Sequence, residues 1–358
     1  MQRFAHVTIP DNPVARLPEW TLRGISQVVF QNNIWTGLVI LGAIFYNSGA
    51  YGFACLLGTI TATLTALFLK ADRALIKAGL FGYNGALLGI GLNAYMSPGF
   101  TTGAYPDWRL YIYIVLGAAF TAIVFSALVT AFGPAQVPAL TAPFVLSAWL
   151  FIFAVLQFTR FHPGPLLAAA LPGHVPAAAQ HYTWTTWYQG AGKGIGEIFF
   201  QDNWITGYAM LFGIFLNTRI GAGMALLGTL LAAGTGIVLG APEATIRAGL
   251  LGFNPTLTAI ALGGVFFVLT FRSFAYAVFG ILVTVWVSAA MTVVLSPIGM
   301  PTFTSAFVIV TLIMIFAKGL FPGLVPVAPA DTTNPEDNLR RRQKARGAKE
   351  QLAPPAQE

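Results

Sequence analysis

Two threonines occupy matching places in a repeated proline-containing pattern, and their hydroxyl groups are the first candidates for chemistry. Thr141 lies in residues 137–144, Val-Pro-Ala-Leu-Thr-Ala-Pro-Phe, and Thr304 lies in residues 300–307, Met-Pro-Thr-Phe-Thr-Ser-Ala-Phe. Each follows a proline by three residues, and proline interrupts a helix and frees backbone carbonyl groups. A hydroxyl beside such carbonyls makes a row of acceptors for N–H donors. The alternative is that each hydroxyl bonds to its own helix backbone.

A second repeated segment places an amide and an acid at equivalent positions. Residues 27–37 read Gln-Val-Val-Phe-Gln-Asn-Asn-Ile-Trp-Thr-Gly, and residues 197–207 read Glu-Ile-Phe-Phe-Gln-Asp-Asn-Trp-Ile-Thr-Gly. Gln27 and Glu197 each head an apolar segment, where a side chain can satisfy the free N–H groups of a helix. Each could also offer an oxygen atom to a solute. Both roles stay open.

Aromatic and aliphatic side chains also match across the repeat. Residues 79–84, Gly-Leu-Phe-Gly-Tyr-Asn, recur 170 positions later as Gly-Leu-Leu-Gly-Phe-Asn. Aromatic residues at helical spacing usually pack a core, so only the matched position singles these side chains out. The matched pairs are Phe30 and Phe200, Tyr83 and Phe253, Leu87 and Leu257, and Val28 and Ile198.

The remaining reactive residues do not predict a catalytic or metal site. His162, His174 and His181 are spaced by 12 and 7 residues, which suits no standard helical zinc site. A membrane enzyme would need histidine or acidic side chains clustered within the apolar segments, and the sequence has no such cluster. We therefore predict no metal, no cofactor and no enzymatic activity.

The composition places these residues in a membrane protein. Of the 358 residues, 56% are apolar and 9% are charged, against roughly 25% charged in soluble domains. So few charges exclude a soluble enzyme, a disordered protein and a nucleic-acid-binding protein. The apolar runs are continuous and near 20 residues long, as helices that cross a lipid bilayer require, whereas barrel strands would alternate over about 10. The prediction is an all-α integral membrane protein.

Ten apolar segments divide the chain into two sets of five. They cover residues 27–47, 51–69, 79–97, 108–132, 143–159, 197–217, 221–239, 249–270, 274–295 and 303–320. We predict an N-terminal cytoplasmic segment (1–23), a first repeat (24–159), an extracytoplasmic linker (160–193), a second repeat (194–325) and a disordered basic cytoplasmic tail (326–358).

An odd number of spans in each repeat requires the second repeat to enter the membrane from the opposite side. Two inverted repeats of five helices enclose a central path at their interface, with half-spanning pore segments. With both termini in the cytoplasm, fifteen basic residues lie on the cytoplasmic side and four on the other. This asymmetry supports that orientation.

These three repeated blocks together resemble the urea transporter family over about residues 20–325. The first proline block has Val137 where that family has leucine, the second has Met300 and Ala306, and Tyr83 stands where we expect phenylalanine. The resemblance implies passive, channel-like transport of urea, with one pore in each subunit of a homotrimer. Gln27, Glu197, Thr141 and Thr304 would then accept hydrogen bonds from urea. The matched apolar pairs would form narrow slots that strip water from the flat solute and stack on its faces.

The chemistry of urea agrees with these residues. Urea is planar and neutral and has four N–H donors, so its pore needs acceptor oxygens and flat apolar walls rather than charges. The alternative is an ion-coupled secondary transporter of a small amide or other neutral solute, with Glu197 as the ion-binding group. The predicted partners are urea and the lipid bilayer, and the predicted location is a bacterial inner membrane.

Overall fold

The computed structural model describes residues 12–97, 107–158, 167–171, 180–329, 332 and 334–352, and the regular structure of these ranges is helical. The first half contains α1 (Pro13–Gln27), α2 (Ile34–Asn47), α3 (Gly49–Phe68), α4 (Arg73–Lys77), α5 (Gly82–Met96), α6 (Trp108–Phe132) and α7 (Ala142–Gln157). The second half contains α8 (Trp184–Gly196), α9 (Trp204–Asn217), α10 (Arg219–Val238), α11 (Glu243–Arg247), α12 (Phe253–Ile260), α13 (Phe271–Leu295) and α14 (Ser305–Phe316). Helix α15 (Pro335–Leu352) follows.

Within the described ranges, four helical segments are long and apolar enough to cross a membrane. They are Gly49–Phe68, Trp108–Ala135, Arg219–Val238 and Phe271–Ile298, so each half contributes two at matching places. Four shorter apolar helical segments accompany them: Ile34–Asn47, Ala142–Gln157, Trp204–Asn217 and Ser305–Leu320. Many large apolar side chains on these helices, such as Phe68, Leu116 and Phe279, are exposed to the surroundings. This outward apolar surface fits an integral membrane protein.

The backbone repeats at the same offsets as the sequence blocks. Five left-handed residues of the first half each have a left-handed counterpart 170 or 163 positions later. The pairs are Phe30 and Phe200, Lys70 and Gly240, Gly79 and Gly249, Gln136 and Gly299, and Leu140 and Phe303. Because non-glycine residues rarely adopt a positive φ, the tight turns of the two halves share unusual conformations. The internal repeat is therefore present in the backbone as well as in the sequence.

Helix breaks fall inside several of the apolar segments that the sequence predicts as continuous spans. Residues 28–33 separate α1 from α2, so helix α1 lies largely within the segment predicted as an N-terminal extension. In the same way, α8 occupies part of the predicted linker, and a turn separates it from α9. The left-handed Phe30 and Phe200 end these short helices, and hydropathy alone cannot locate such breaks.

The C-terminal region differs most from its prediction. The sequence predicts a disordered tail from residue 326, but residues 335–352 form helix α15, and Pro326 is bridged to Phe267. The composition of this region lacks an apolar period, so its order depends on polar contacts with the helical core. His162 and His174 of the predicted linker lie outside the described residues, and in the part of the chain that the structure describes no group of three or more possible ligands could hold a metal.

Candidate solute pathway between the two halves

Thr141 and Thr304 meet at the centre of the molecule. Their Oγ1 atoms lie 2.6 Å apart in a direct hydrogen bond, and both side chains are buried. Thr141 precedes α7 and Thr304 precedes α14, each following a left-handed residue, Leu140 or Phe303. Since the two threonines are equivalent in the repeat, their contact joins matched residues of the two halves. The sequence predicted that these residues act together, and the structure brings them into contact.

Two asparagines hold the helices that begin at the threonines. The Oδ1 atom of Asn84 accepts a hydrogen bond from the Phe144 amide at 3.1 Å, and that of Asn254 accepts one from the Phe307 amide at 3.0 Å. Each amide belongs to the first turn of its helix, whose N–H groups have no partner within the helix. The buried asparagines therefore cap α7 and α14 from a distance, and they keep each threonine at the helix entrance.

The equivalent carbonyl groups of Phe303 and Leu140 accept hydrogen bonds from different side chains in the two halves. The Nδ2 atom of Asn254 donates to the Phe303 carbonyl at 3.2 Å. In the first half the hydroxyl of Tyr83 donates to the Leu140 carbonyl, which is the equivalent group. The hydroxyl by which Tyr83 differs from Phe253 thus bonds to the backbone beside Thr141.

Aromatic side chains of one half pack against those of the other. The Phe30 ring meets the Phe307 ring at 6.0 Å between centroids, and the Phe200 ring meets the Phe144 ring at 6.2 Å. Phe200 is the counterpart of Phe30 in the repeat and Phe144 is the counterpart of Phe307, so the two contacts are equivalent, with the halves exchanged. Both pairs are edge-to-face, which is a favourable arrangement of aromatic quadrupoles. Phe30 and Phe200, which the sequence predicts as slot residues, therefore lie at the interface between the halves.

Hydrogen bonds between amide side chains join the two halves at two equivalent places in the same interface. In one cluster the Nδ2 atom of Asn217 donates to Gln31 Oε1 at 2.6 Å, and Asn33 donates to Asn217 Oδ1 at 3.3 Å. Asn33 and its counterpart Asn203 also cap the helices α2 and α9 that pack together there.

The second cluster repeats these bonds with the halves exchanged. Asn47 donates to Gln201 Oε1 at 2.9 Å, and Asn203 donates to Asn47 Oδ1 at 3.2 Å. Gln31 and Gln201 are buried, so their amide groups depend on these partners. The repeated Gln-Asn-Asn and Gln-Asp-Asn sequences therefore connect the halves.

Gln27 and Glu197 end their short helices at equivalent half-buried positions. The carbonyl of Gln27 accepts a hydrogen bond from the Phe30 amide at 3.0 Å, and that of Glu197 accepts one from the Phe200 amide at 3.1 Å. Gln27 Nε2 also donates to the Ala78 carbonyl at 2.9 Å. A glutamate side chain can make the equivalent bond only when it is protonated, whereas glutamine always carries the N–H donors, so the two positions differ chemically.

Basic side chains bridge each of these helix breaks. Arg23 Nη1 donates to Asn32 Oδ1 at 2.6 Å, and Lys193 Nζ lies 2.5 Å from Asp202 Oδ1 at the equivalent place. Asp202 is largely exposed, with 67% of its side chain accessible. Asp202 therefore forms an ion pair with Lys193 at the protein surface, whereas Glu197 is half-buried.

A cavity of about 1770 Å³ is lined by Thr141 and by residues of both halves. The predicted site residues that line it are Gln27, Val28, Phe30, Tyr83 and Thr141. The other predicted site residues do not line this cavity; they are Glu197, Ile198, Phe200, Phe253, Thr304, Leu87 and Leu257. Leu87 and Leu257 are fully buried, as Val28 and Ile198 nearly are, and their place in the slots stays a prediction.

Several aromatic residues near the threonines were not among the predicted site residues. Phe303 packs against Phe144 at 5.1 Å, Phe200 at 6.0 Å and Tyr95 at 5.5 Å between ring centroids. On the opposite side, Phe266 packs against Phe30 at 5.6 Å. The repeat of the proline blocks could have identified Phe144 and its counterpart, whereas Phe266 has a methionine at the equivalent place and carries no sequence signal.

The arrangement can hold a flat, neutral solute that donates hydrogen bonds. A pair of hydroxyl oxygens lies at the centre, aromatic rings surround it on both sides, and an amide or carboxylate group lies at each helix break. The described residues next to the threonine pair are uncharged. Oxygen acceptors between apolar walls suit a small amide better than an ion.

Comparison with known proteins agrees with this chemistry. The family profile described as "Urea transporter" matches residues 18–319. Urea transporter 1 of Ovis aries is 32% identical over 345 residues, which covers 94% of this chain and 86% of the relative. Urea transporter 1 of Rattus norvegicus has the same identity and coverage, and that of Mus musculus is 31% identical over 345 residues. The profile covers most of the chain, including both threonines and both helix breaks, and the chain therefore belongs to the urea transporter family.

Proposed function

We propose that this protein carries urea passively across a membrane through a narrow path between its two halves. The observation that carries the proposal is the Thr141–Thr304 hydrogen bond between the halves, with Thr141 lining a cavity of about 1770 Å³. Membership of the urea transporter family supports urea as the solute.

The path must offer urea the hydrogen bonds that it loses with water. An unpaired buried N–H group costs roughly 1–3 kcal/mol in proteins, so urea with four donors needs several acceptors. The hydroxyl oxygens of Thr141 and Thr304 face each other and can turn to accept N–H groups in sequence. Gln27 and Glu197 add oxygens at the two helix breaks. Phe30, Phe200 and their neighbours exclude water and contact the flat faces of urea.

The proposed architecture extends the observed repeat to the membrane. Ten spans form two inverted sets of five, in residues 24–159 and 194–325, with both termini in the cytoplasm of a bacterial inner membrane. The matched helix lengths, the paired left-handed residues and the reciprocal contacts between halves support this arrangement. Each subunit of a homotrimer would carry its own path. No catalytic step is required for this transport.

Stopped-flow light scattering on proteoliposomes tests the proposal. We expect urea to cross protein-containing vesicles at least about tenfold faster than empty ones, at a rate unaffected by uncouplers or a sodium gradient. A urea permeability equal to that of empty vesicles would overturn the proposal.

Glu197→Gln separates this function from ion-coupled transport. The substituted amide can donate to the Ala248 carbonyl, as Gln27 does to Ala78, so the variant should fold and still conduct urea. An ion-coupled transporter would lose accumulation of urea against a gradient in this variant. Accumulation in the wild-type protein, abolished by an uncoupler, would contradict the passive mechanism.

A further inference from the structure

One left-handed glycine breaks the symmetry of the repeat. Among the described residues with a positive φ, Gly264 (φ 156°) has no left-handed counterpart in the first half. The equivalent residue, Ala94, lies inside α5, which continues to Met96. In the second half, helix α12 instead ends at Ile260 and a π-turn (Ala261–Val265) follows. The carbonyl groups released at this turn need partners from elsewhere in the chain.

A C-terminal segment supplies these partners. We call residues 324–329 and 334–340 the strap. The strap pairs with the chain after the π-turn, where the Val268 amide donates to the Val325 carbonyl and the Val327 amide donates to the Phe266 carbonyl, both at 2.9 Å. Asn338 is buried and donates through Nδ2 to the Gly264 carbonyl at 2.9 Å. The strap therefore completes the hydrogen bonding of the interrupted helix.

Gly264 and Pro335 pack closely against each other. A Cβ atom at residue 264 would lie 2.6 Å from the Cβ atom of Pro335, so a side chain there would push the strap away. Pro335 also begins helix α15, a position that suits proline because its missing N–H needs no partner. The glycine and the proline thus fix where α15 starts.

Glu336 connects the strap by hydrogen bonds to a second element, the beginning of helix α10. Its Oε2 atom accepts a hydrogen bond from the Thr218 hydroxyl at 2.6 Å. Its Oε1 atom accepts bonds from the amides of Arg219 at 2.7 Å and Ile220 at 2.9 Å. These amides are the unpaired donors of the first helical turn, and the positive end of the helix dipole favours a carboxylate there. One side chain therefore joins the tail to a membrane-spanning candidate helix.

The strap borders the cavity that Thr141 lines. Val327, Pro329 and Glu336 line this cavity together with Phe266 and Phe30. Phe266, whose carbonyl is held by the strap, packs its ring edge-to-face on Phe30 at 5.6 Å. The strap thus acts on the segment around Phe266 at two places: Asn338 holds the Gly264 carbonyl two residues before it, and the Val327 amide holds the Phe266 carbonyl itself.

We propose that the strap sets the size of the solute that enters this path, with Glu336 and Asn338 as positioning residues that hold Phe266 against Phe30. This inference rests on the proposed urea transport. When the strap is released, the Phe266 ring is no longer held against Phe30 and the entrance of the path widens. Analogues bulkier than urea then pass more readily. The acceptors at Thr141 and Thr304 are untouched by this change.

The test compares the permeabilities of N-methylurea and urea in proteoliposomes. The variants are Glu336→Ala, Asn338→Ala, Phe266→Ala and the double variant Glu336→Ala/Phe266→Ala. Gln343→Ala is the matched control, because this exposed residue lies on α15 beyond the strap. We expect each single variant to raise the N-methylurea to urea ratio by about threefold or more. The double variant should not exceed the larger single effect, since both act through Phe266, and the control should match the wild type.

The outcomes separate this inference from the proposed function. A wild-type urea permeability equal to that of empty vesicles overturns both. Normal wild-type transport with an unchanged ratio in monodisperse Glu336→Ala and Asn338→Ala proteins overturns the strap inference alone, as does a fall in urea flux without a change of ratio.

Amide hydrogen exchange gives a readout that does not depend on transport. Glu336→Ala should speed the exchange of the Val268 and Val327 amides while leaving exchange in α3 unchanged. Unchanged exchange at both amides would contradict the positioning role.

Discussion

The hydroxyl groups of Thr141 and Thr304 bond directly to each other across 163 residues of sequence. Because the two threonines are counterparts in the repeat, this bond joins matched residues of the two halves. Two hydroxyls in contact already satisfy part of each other's hydrogen bonding. In the proposed transport, a solute that passes between them would exchange this one bond for its own, which would lower the cost of entry and of release.

The amide clusters between the halves should contribute equally to stability. Asn217→Ala removes the bond to Gln31, and Asn47→Ala removes the reciprocal bond to Gln201. Each substitution leaves a buried amide oxygen without its partner, and we expect each to lower the free energy of unfolding by about 1–3 kcal/mol. Thermal unfolding in detergent measures the effect. Gln343→Ala serves as a control, and a marked effect of one cluster without the other would contradict the reciprocal arrangement.

Two glycines set how closely the paired short helices approach. A Cβ atom at Gly37 would collide with the carbonyl oxygen of Leu22, and one at Gly207 would collide with that of Gly192. Backbone atoms cannot move away as a side chain can, so Gly37→Ala and Gly207→Ala should each destabilise the protein by about 3 kcal/mol or more. Gly42→Ala is the matched control in α2, because no atom lies within 4 Å of its added Cβ. Equal melting temperatures for Gly37→Ala and Gly42→Ala would refute the close contact.

Asn254 should be more important for folding than the hydroxyl of Tyr83. Asn254→Ala removes both the cap on α14 and the bond to the Phe303 carbonyl, and we expect a loss of about 2–4 kcal/mol. Tyr83→Phe removes one hydrogen bond and reproduces the residue present at 253, so its cost should stay near 1 kcal/mol. Chemical denaturation of the purified variants compares them. A larger loss for Tyr83→Phe would show that the Tyr83 hydroxyl carries the support of this turn.

The sequence predicted the pairing of Thr141 and Thr304 better than it predicted where the helices begin and end. Thr141 and Thr304 were paired because the same proline pattern surrounds both, and a repeat places equivalent residues symmetrically. Hydropathy runs could not reveal the break before α2, because it depends on a left-handed Phe30 rather than on a glycine or proline. The slot prediction for Leu87 and Leu257 rested on the family resemblance and on matched positions, and it stays a prediction, because the structure shows only that both side chains are fully buried.

The strap escaped prediction for a different reason. Its order comes from Glu336 and Asn338, which bind backbone groups more than 70 residues earlier in the chain. Local composition is polar and charged there, which is typical of a disordered tail. Only the three-dimensional structure brings the free amides of α10 and the Gly264 carbonyl close enough to hold it.

The most direct test of the account is urea flux through a Thr141→Val/Thr304→Val protein. Valine keeps the shape of threonine and removes the two central acceptors, so urea must cross this point with unpaired N–H groups. We expect the urea permeability of proteoliposomes to fall by at least about tenfold, since a lost buried hydrogen bond costs about 1–3 kcal/mol. Thr63→Val is the control, because that hydroxyl bonds to the Thr59 carbonyl of its own helix. Wild-type flux in a well-folded double variant would contradict the central role of the threonine pair.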